Sequence, residues 1–507
     1  SFYEGGNNCN ALCGTSQIAA LMRDAVLHAD STVDFGQFDN DGPDGIPNSG
    51  DDDGAVDLAV FVQPEVDGAC GGNQDIWSHR FSYQGWSGGP TLATKDTVWA
   101  NAGHTVPKLV GGQVQFIQIN NYTIQSGVGG LTACDGTNIM AIGTTAHETG
   151  HGFGLPDFYD TNPTDGDNSE GIGHWGLMGS GNYAQPHSPA YMEGFSRMTL
   201  GWVTVRDITP GTYSVGSYSV ADTIFRVTPP SSLNSRGEYY LLENRQGTLS
   251  DSALINLKGP GLLIFHVDPL KYNSNLLSNS VNTGSIHALK LEQADGQDNL
   301  GSSVSGIRNR GDAGDPYPGS TGTTLFGFGA TPDGSLNGGT NSGVLIDSFQ
   351  QVVAGGTMSF RLRYDFPLVF TTSGVGTVAA SGTIASGTLM TPGDSVTLSA
   401  TSSGNQAFIN WTGDTTTQSP TLKLHMTRSW TVVANFFAAP QNLVADSIIK
   451  QLLGTSAPLT STDRQYLDLL GNRNGILDLG DFVAWLDKTG TVVSNETMRA
   501  LTQRARQ

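Results

Sequence analysis

The chain has 507 residues, with 46 Asp and Glu against 25 Lys and Arg, a formal charge of −21. So acidic a balance disfavours nucleic acid and anionic membrane surfaces as partners. The longest apolar run, around VDLAVFV, falls far short of a bilayer span.

A chain of this length exceeds what one hydrophobic core usually serves, so several domains are expected. Charged residues make up only 14% while glycine reaches 67 positions, a balance that suits a loop-rich, largely β, extracellular protein. In chain order, residues 1–205 read as a mixed α/β (α+β) domain. Helices are predicted over 16–28 and 142–154, and buried strands over 57–63 and 114–120. Cys9, Cys13, Cys70 and Cys134 form an even set that favours an oxidising exterior, with pairings Cys9–Cys13 and Cys70–Cys134. From 206 to 364, short strands such as EYYLLENRQ and GLLIFHV alternate with Gly-rich turns, the pattern of a β-sandwich. Residues 365–438 are nearly uncharged and read as a small all-β module in which Trp411 belongs to the core. Residues 439–507 switch to helical periodicity and read as a small helical domain.

The chemistry concentrates in TTAHETGHGFGLPDFYD, residues 144–160. On a helix, His147 and His151 share a face and can offer imidazole nitrogens to one zinc ion. Glu148 stands beside the first of them as a general base. Gly154 can take a positive φ and turn the chain back, Pro156 stiffens the turn, and Asp157 lies where a third ligand is required.

The pattern HExxHxxGxxD resembles the metzincin metallopeptidases, and Met178 in HWGLMGSGNY is suitably spaced for their methionine turn. VDFGQFDNDG, IWSHRF, SPAYMEGFSRMTLGWV, LEQADG and NRGDAGDPYPG extend the likeness, in order, to the immune inhibitor A family of secreted bacterial metallopeptidases. The resemblance implies a zincin-like catalytic domain with one zinc held by His147, His151 and Asp157, and Glu148 as base. It also implies a β-sandwich packed behind it, structural calcium, and a signal peptide and propeptide removed from the mature chain. Where several metzincins carry a tyrosine after the methionine, this chain has Ser180; Tyr183 is the nearest candidate for contacting the transition state. His174 and His187 are further candidates for substrate contact.

DNDGPDGIPNSGDDDGAVD clusters carboxylates in the manner of a calcium loop. Asp39, Asp41, Asp53 and Asp57 are the preferred ligands, with Asp44 and Asp51 beside them. Asp312 and Asp315 read either as a second calcium site or as Asx-turns. Residues 365–438 look like a divergent internalin-type B-repeat. The segment YLDLLGNRNGILDLGDF is partly similar to a dockerin or EF-hand half, with Asn472, Asn474, Asp478 and Asp481 at ligand positions. Leu470 stands at the first ligand position, which weakens that calcium reading.

The expected function is that of a secreted zinc endopeptidase acting as a monomer on proteins or peptides. The rival reading is an adhesive or docking protein whose C-terminal modules touch cell surfaces or glycans, its zincin domain narrowly specific or silent.

Overall fold

The computed structural model describes residues 3, 10–12, 16–71, 75–132, 134–162, 164–166, 168–229, 234–301, 309–327, 330–390, 394–455 and 459–506. Two compact units result, one of residues 1–342 and 346–362, the other of residues 343–345 and 363–507. The architecture is multidomain, with mixed helices and sheets.

The first unit opens with helix Ser16–Ala29, close to its predicted span. A three-stranded sheet follows, with Asn121–Ser126 at its centre, parallel to Ala59–Gln63 and antiparallel to His79–Ser82. The central strand is buried almost throughout, and its Tyr122 and Ile124 pack with Ile18 and Met22 of the helix. Predicted strand 114–120 is instead interrupted, forming Gln113–Val114 and Phe116–Ile119 before the central strand begins. Helix Ile142–Gly152 lies against Asn121–Ser126 and His79–Ser82. It ends two residues before the prediction, because Phe153 caps it and Gly154 turns into the left-handed region at φ 87°.

Beyond residue 203 a five-stranded sheet runs in the order Thr204–Asp207, Thr223–Val227, Tyr239–Arg245, Gly261–Val267, Leu289–Leu291. Strand Gly261–Val267 is buried at every position, which is why it reads as a continuous apolar run rather than an alternating one. Its Leu263 and Phe265 share one apolar cluster with Leu155, Phe158, Trp175 and Met178, so this sheet backs the loops that follow helix Ile142–Gly152. A buried ion group, Arg245 with Glu243 (2.8 Å) and Asp251 (2.7 Å), ties the same sheet to helix Asp251–Lys258.

Cys70 and Cys134 form a disulfide with Cα atoms 5.3 Å apart, as the sequence suggested. The other expected pair, Cys9–Cys13, lies outside the described residues.

In the second unit, a four-stranded sheet (Thr388–Met390, Phe366–Ser373, Trp430–Phe437, Ala407–Gly413) accompanies a three-stranded one (Gly376–Ala380, Ser395–Ser402, Thr421–His425). Trp411 is fully buried, in line with its reading as core. Helices Ala445–Leu453, Ser461–Leu470, Leu479–Thr489 and Asn495–Arg504 close over Ile448, Leu467, Phe482 and Trp485. Among the described residues no helix is long and apolar enough to cross a membrane.

Candidate active-site cleft

His147 and His151 stand one turn apart on helix Ile142–Gly152, and the reversal at Gly154 returns Asp157 to them. Asp157 Oδ1 lies 3.0 Å from His147 Nε2 and 3.3 Å from His151 Nε2. The opposite ring nitrogens are both spent: His147 Nδ1 donates to the Leu177 carbonyl (2.8 Å) and His151 Nδ1 to the Leu155 carbonyl (2.7 Å). A carbonyl only accepts, so each Nδ1 carries a proton, and each Nε2 is the ring atom turned toward Asp157 and open to a metal ion. This donor set, two imidazoles and one carboxylate with their outer atoms fixed by hydrogen bonds, fits zinc with a fourth position left to the cleft.

Burial opposes charge on every group here. For both imidazoles it is outweighed by Asp157, which raises His147 and lifts His151 to about 9. The two imidazoles in turn hold the Asp157 carboxyl well below the usual carboxylate range despite its burial. Glu148 is buried beside them, and that burial pushes its carboxyl up.

Met178 is fully buried beneath the helix, its sulphur in contact distance of where a Cβ on Gly150 would stand. Its backbone carbonyl accepts from Phe158 N–H at 2.8 Å, joining the methionine loop to the Asp157 turn.

Two cavities meet at His147 and Glu148. One of about 400 Å³ is walled by Trp77, Thr132, Tyr159, Glu170, Tyr183 and Arg310; the other, of about 740 Å³, runs along His79–Phe81 and Leu276–Asn279. Tyr183 therefore lines the cleft, as does Ser180, whose hydroxyl is buried. His174 sits behind the methionine loop, where burial lowers its imidazole to about 4, and His187 is exposed; neither lines either cavity.

Sequence reasoning missed three groups. Tyr159, two residues past Asp157 in the same motif, lines both cavities and donates a hydrogen bond to Asp157. Asn279 donates to Asp157 Oδ2 (2.7 Å) and accepts from Asp157 N–H (2.8 Å). Arg310 donates to Glu170 (3.1 Å) and lies over the Tyr183 ring, 5.7 Å from its centroid. Tyr159 and Arg310 stand inside quoted motifs and were findable there; nothing in the local sequence marks Asn279.

Of the expected calcium ligands, Asp39 and Asp41 converge, joined by Asp52 rather than by Asp53 or Asp57. Asp44 and Asp51 are exposed and accept backbone hydrogen bonds from Ile46 and Asp44. In the tail, Asp478 and Asp481 cap helix Leu479–Thr489 through a capping box, while Asn472 and Asn474 donate to Asp478. Asp312 and Asp315 are joined by Asp295.

A His-Glu-x-x-His helix with a returning aspartate, set in an open cleft, is a candidate metal centre. Residues 2–206 match the immune inhibitor A peptidase M6 catalytic domain, and residues 368–440 match the divergent InlB B-repeat domain. Immune inhibitor A of Bacillus thuringiensis subsp. alesti is 33% identical over 172 residues, covering 32% of this chain and 21% of that protein. Pre-pro-metalloprotease PrtV of Vibrio cholerae serotype O1 (strain M66-2) is 31% identical over 173 residues, covering 32% of this chain and 16% of that protein. The N-terminal part of the chain is thus immune inhibitor A-like, while the match spans about a fifth or less of either relative.

Proposed function

We propose that the chain is a secreted zinc endopeptidase, with His147, His151 and Asp157 as zinc ligands and Met178 as the methionine turn beneath them. The observation that carries this reading is the convergence of both Nε2 atoms on Asp157 Oδ1 at the point where two cavities meet, with Glu148 alongside. Zinc, when bound, supplies Lewis acidity toward a scissile carbonyl and toward water. Glu148 takes the proton from the attacking water and delivers it to the leaving amine. Its burial, which raises the carboxyl, suits a group that must both accept and return a proton. Asn279 and Tyr159 hold the Asp157 carboxylate in place. Calcium at Asp39, Asp41 and Asp52 stabilises the loop beside the catalytic unit; the buried Asp39 Oδ2 takes no hydrogen bond among the described residues.

The test is casein hydrolysis by the full chain and by Glu148→Ala, each with its zinc content determined. The reading requires that the parent cleaves, that chelation stops it, and that the variant is inert with zinc still bound. A zinc-loaded parent that leaves even unfolded casein intact sinks it.

A further inference from the structure

Away from the zinc-type cluster, Asp295, Asp312 and Asp315 bring one carboxylate oxygen each to within 4.8 Å of one another. Asp315 is 0% exposed, and Asn299, whose amide donates to Asp312 Oδ2 at 3.1 Å, is 2% exposed. Hydrogen bonds anchor one side of these groups. Asp315 Oδ2 accepts from Trp175 Nε1 (2.7 Å) and Asp312 N–H (2.8 Å); Asp295 Oδ1 accepts from Gln297 N–H (3.0 Å). Asp312 accepts from Gly314 N–H (2.7 Å) and the Asn309 amide (2.7 Å). Asp315 Oδ1, Asp295 Oδ2 and Asn299 Oδ1 are buried yet take no hydrogen bond among the described residues. Lys258, the cation whose charge reaches Asp312, donates to the Gly311 carbonyl instead.

Buried oxygens without donors cost several kcal/mol unless something positive meets them. Three converging carboxylates, with the buried Asn299 amide beside Asp312, form an oxygen-rich set, the donor chemistry of a hard divalent cation. Carboxylate-rich coordination from an irregular loop suits calcium rather than magnesium, which demands a near-ideal octahedron and keeps its waters.

We propose that Asp295, Asp312, Asp315 and Asn299 form a calcium site that fastens the loop carrying Arg310 to the end of strand Leu289–Leu291. The Asn309–Asp315 segment is where the cleft gains a wall. Arg310 reaches Glu170 in the smaller cavity, and its carbonyl accepts from His174 N–H (2.9 Å) beside the methionine loop. Trp175, bound to Asp315, packs in the same apolar cluster as Met178. Calcium here acts on the rigidity of the substrate cleft and not on the hydrolytic step.

The test uses the full-length chain in the Glu148→Ala background, so that neither self-digestion nor the endopeptidase reading affects it. Calcium binding is titrated by calorimetry and thermal melting is followed with and without millimolar calcium, zinc kept present, for this parent and for Asp295→Asn. Without calcium the variant is expected to melt at or above its parent, because one of three mutually repelling carboxylates is gone. With calcium the order reverses, and the variant's affinity at one site falls by about tenfold or more. If the order is the same in both conditions, the proposal is overturned. The double variant Asp295→Asn/Asp312→Asn is expected to bind one calcium fewer than the parent; an unchanged number also overturns it.

Discussion

Asn279 grips Asp157 from both sides, its amide nitrogen donating to the carboxylate at 2.7 Å and its carbonyl oxygen accepting the Asp157 N–H at 2.8 Å. The two residues stand 122 positions apart, and Asn279 holds a left-handed backbone at φ 50° to make the contact. Glycine tolerates that backbone while deleting both hydrogen bonds. Asn279→Gly is therefore expected to fold normally and to lose zinc affinity by about 10- to 100-fold. Competition against a coloured chelator measures it; an unchanged affinity would show that Asp157 needs no such support.

Gly150 lies within a helix, where alanine would ordinarily be preferred by roughly 0.5–1 kcal/mol. Here a Cβ would run into the Met178 sulphur, and Met178 is fully buried with no room to retreat. Overpacking of about 1–3 kcal/mol should win, so Gly150→Ala lowers the melting temperature and zinc occupancy together. Met178→Ala added to it should restore part of the loss, and a purely additive double variant would refute the contact.

His266 is wedged between Glu238 (2.7 Å) and Glu292 (3.3 Å), with Arg236 and Lys290 on the far sides of those carboxylates. Burial alone would lower the imidazolium; the hydrogen bonds it donates to both glutamates outweigh that and push His266 up to about 9. A folded value above the ordinary unfolded one means the stabilisation is complete below about pH 6.5 and disappears as pH rises through about 9. This stabilisation is on the order of 3 kcal/mol. Denaturant titrations from pH 6 to 10 should show it in the parent and a flatter profile in His266→Gln.

The Cys70–Cys134 bridge closes a loop between residues 64 apart, and Ala69 and Thr132 beside it line the smaller cavity. Replacing both cysteines by alanine is expected to cost about 2–5 kcal/mol of stability. It should also raise KM more than it lowers kcat, because the cleft rim loosens while His147, His151 and Asp157 are held elsewhere. Peptide kinetics at saturating zinc distinguish the two parameters.

The zinc-type triad was legible because helix periodicity and a glycine reversal are local properties: spacing alone puts His147, His151 and Asp157 together. The acidic loop of residues 39–57 was legible only as composition. Its alternating Asp residues announce a carboxylate cluster, yet which of them converge, Asp52 with Asp39 and Asp41, depends on the path of the loop and not on spacing. Asn279 was invisible for a different reason. Its role depends on a loop between helix Pro269–Asn275 and strand Leu289–Leu291 reaching the Asp157 turn, a long-range contact without a local signature. Strand limits near 114–120 failed at the Gln115 break, where the chain twists between partners.

The cleft is assembled from both sides of residue 206, since Asn279 and Arg310 come from segments beyond the part that matches the peptidase domain. A recombinant fragment trimmed at that match would lack the brace on Asp157 and one bank of the groove, and would expose the apolar underside of the methionine loop to solvent. A fragment that keeps the cleft whole therefore runs to about residue 362, and a shorter clone that proves insoluble or inert says nothing against its chemistry.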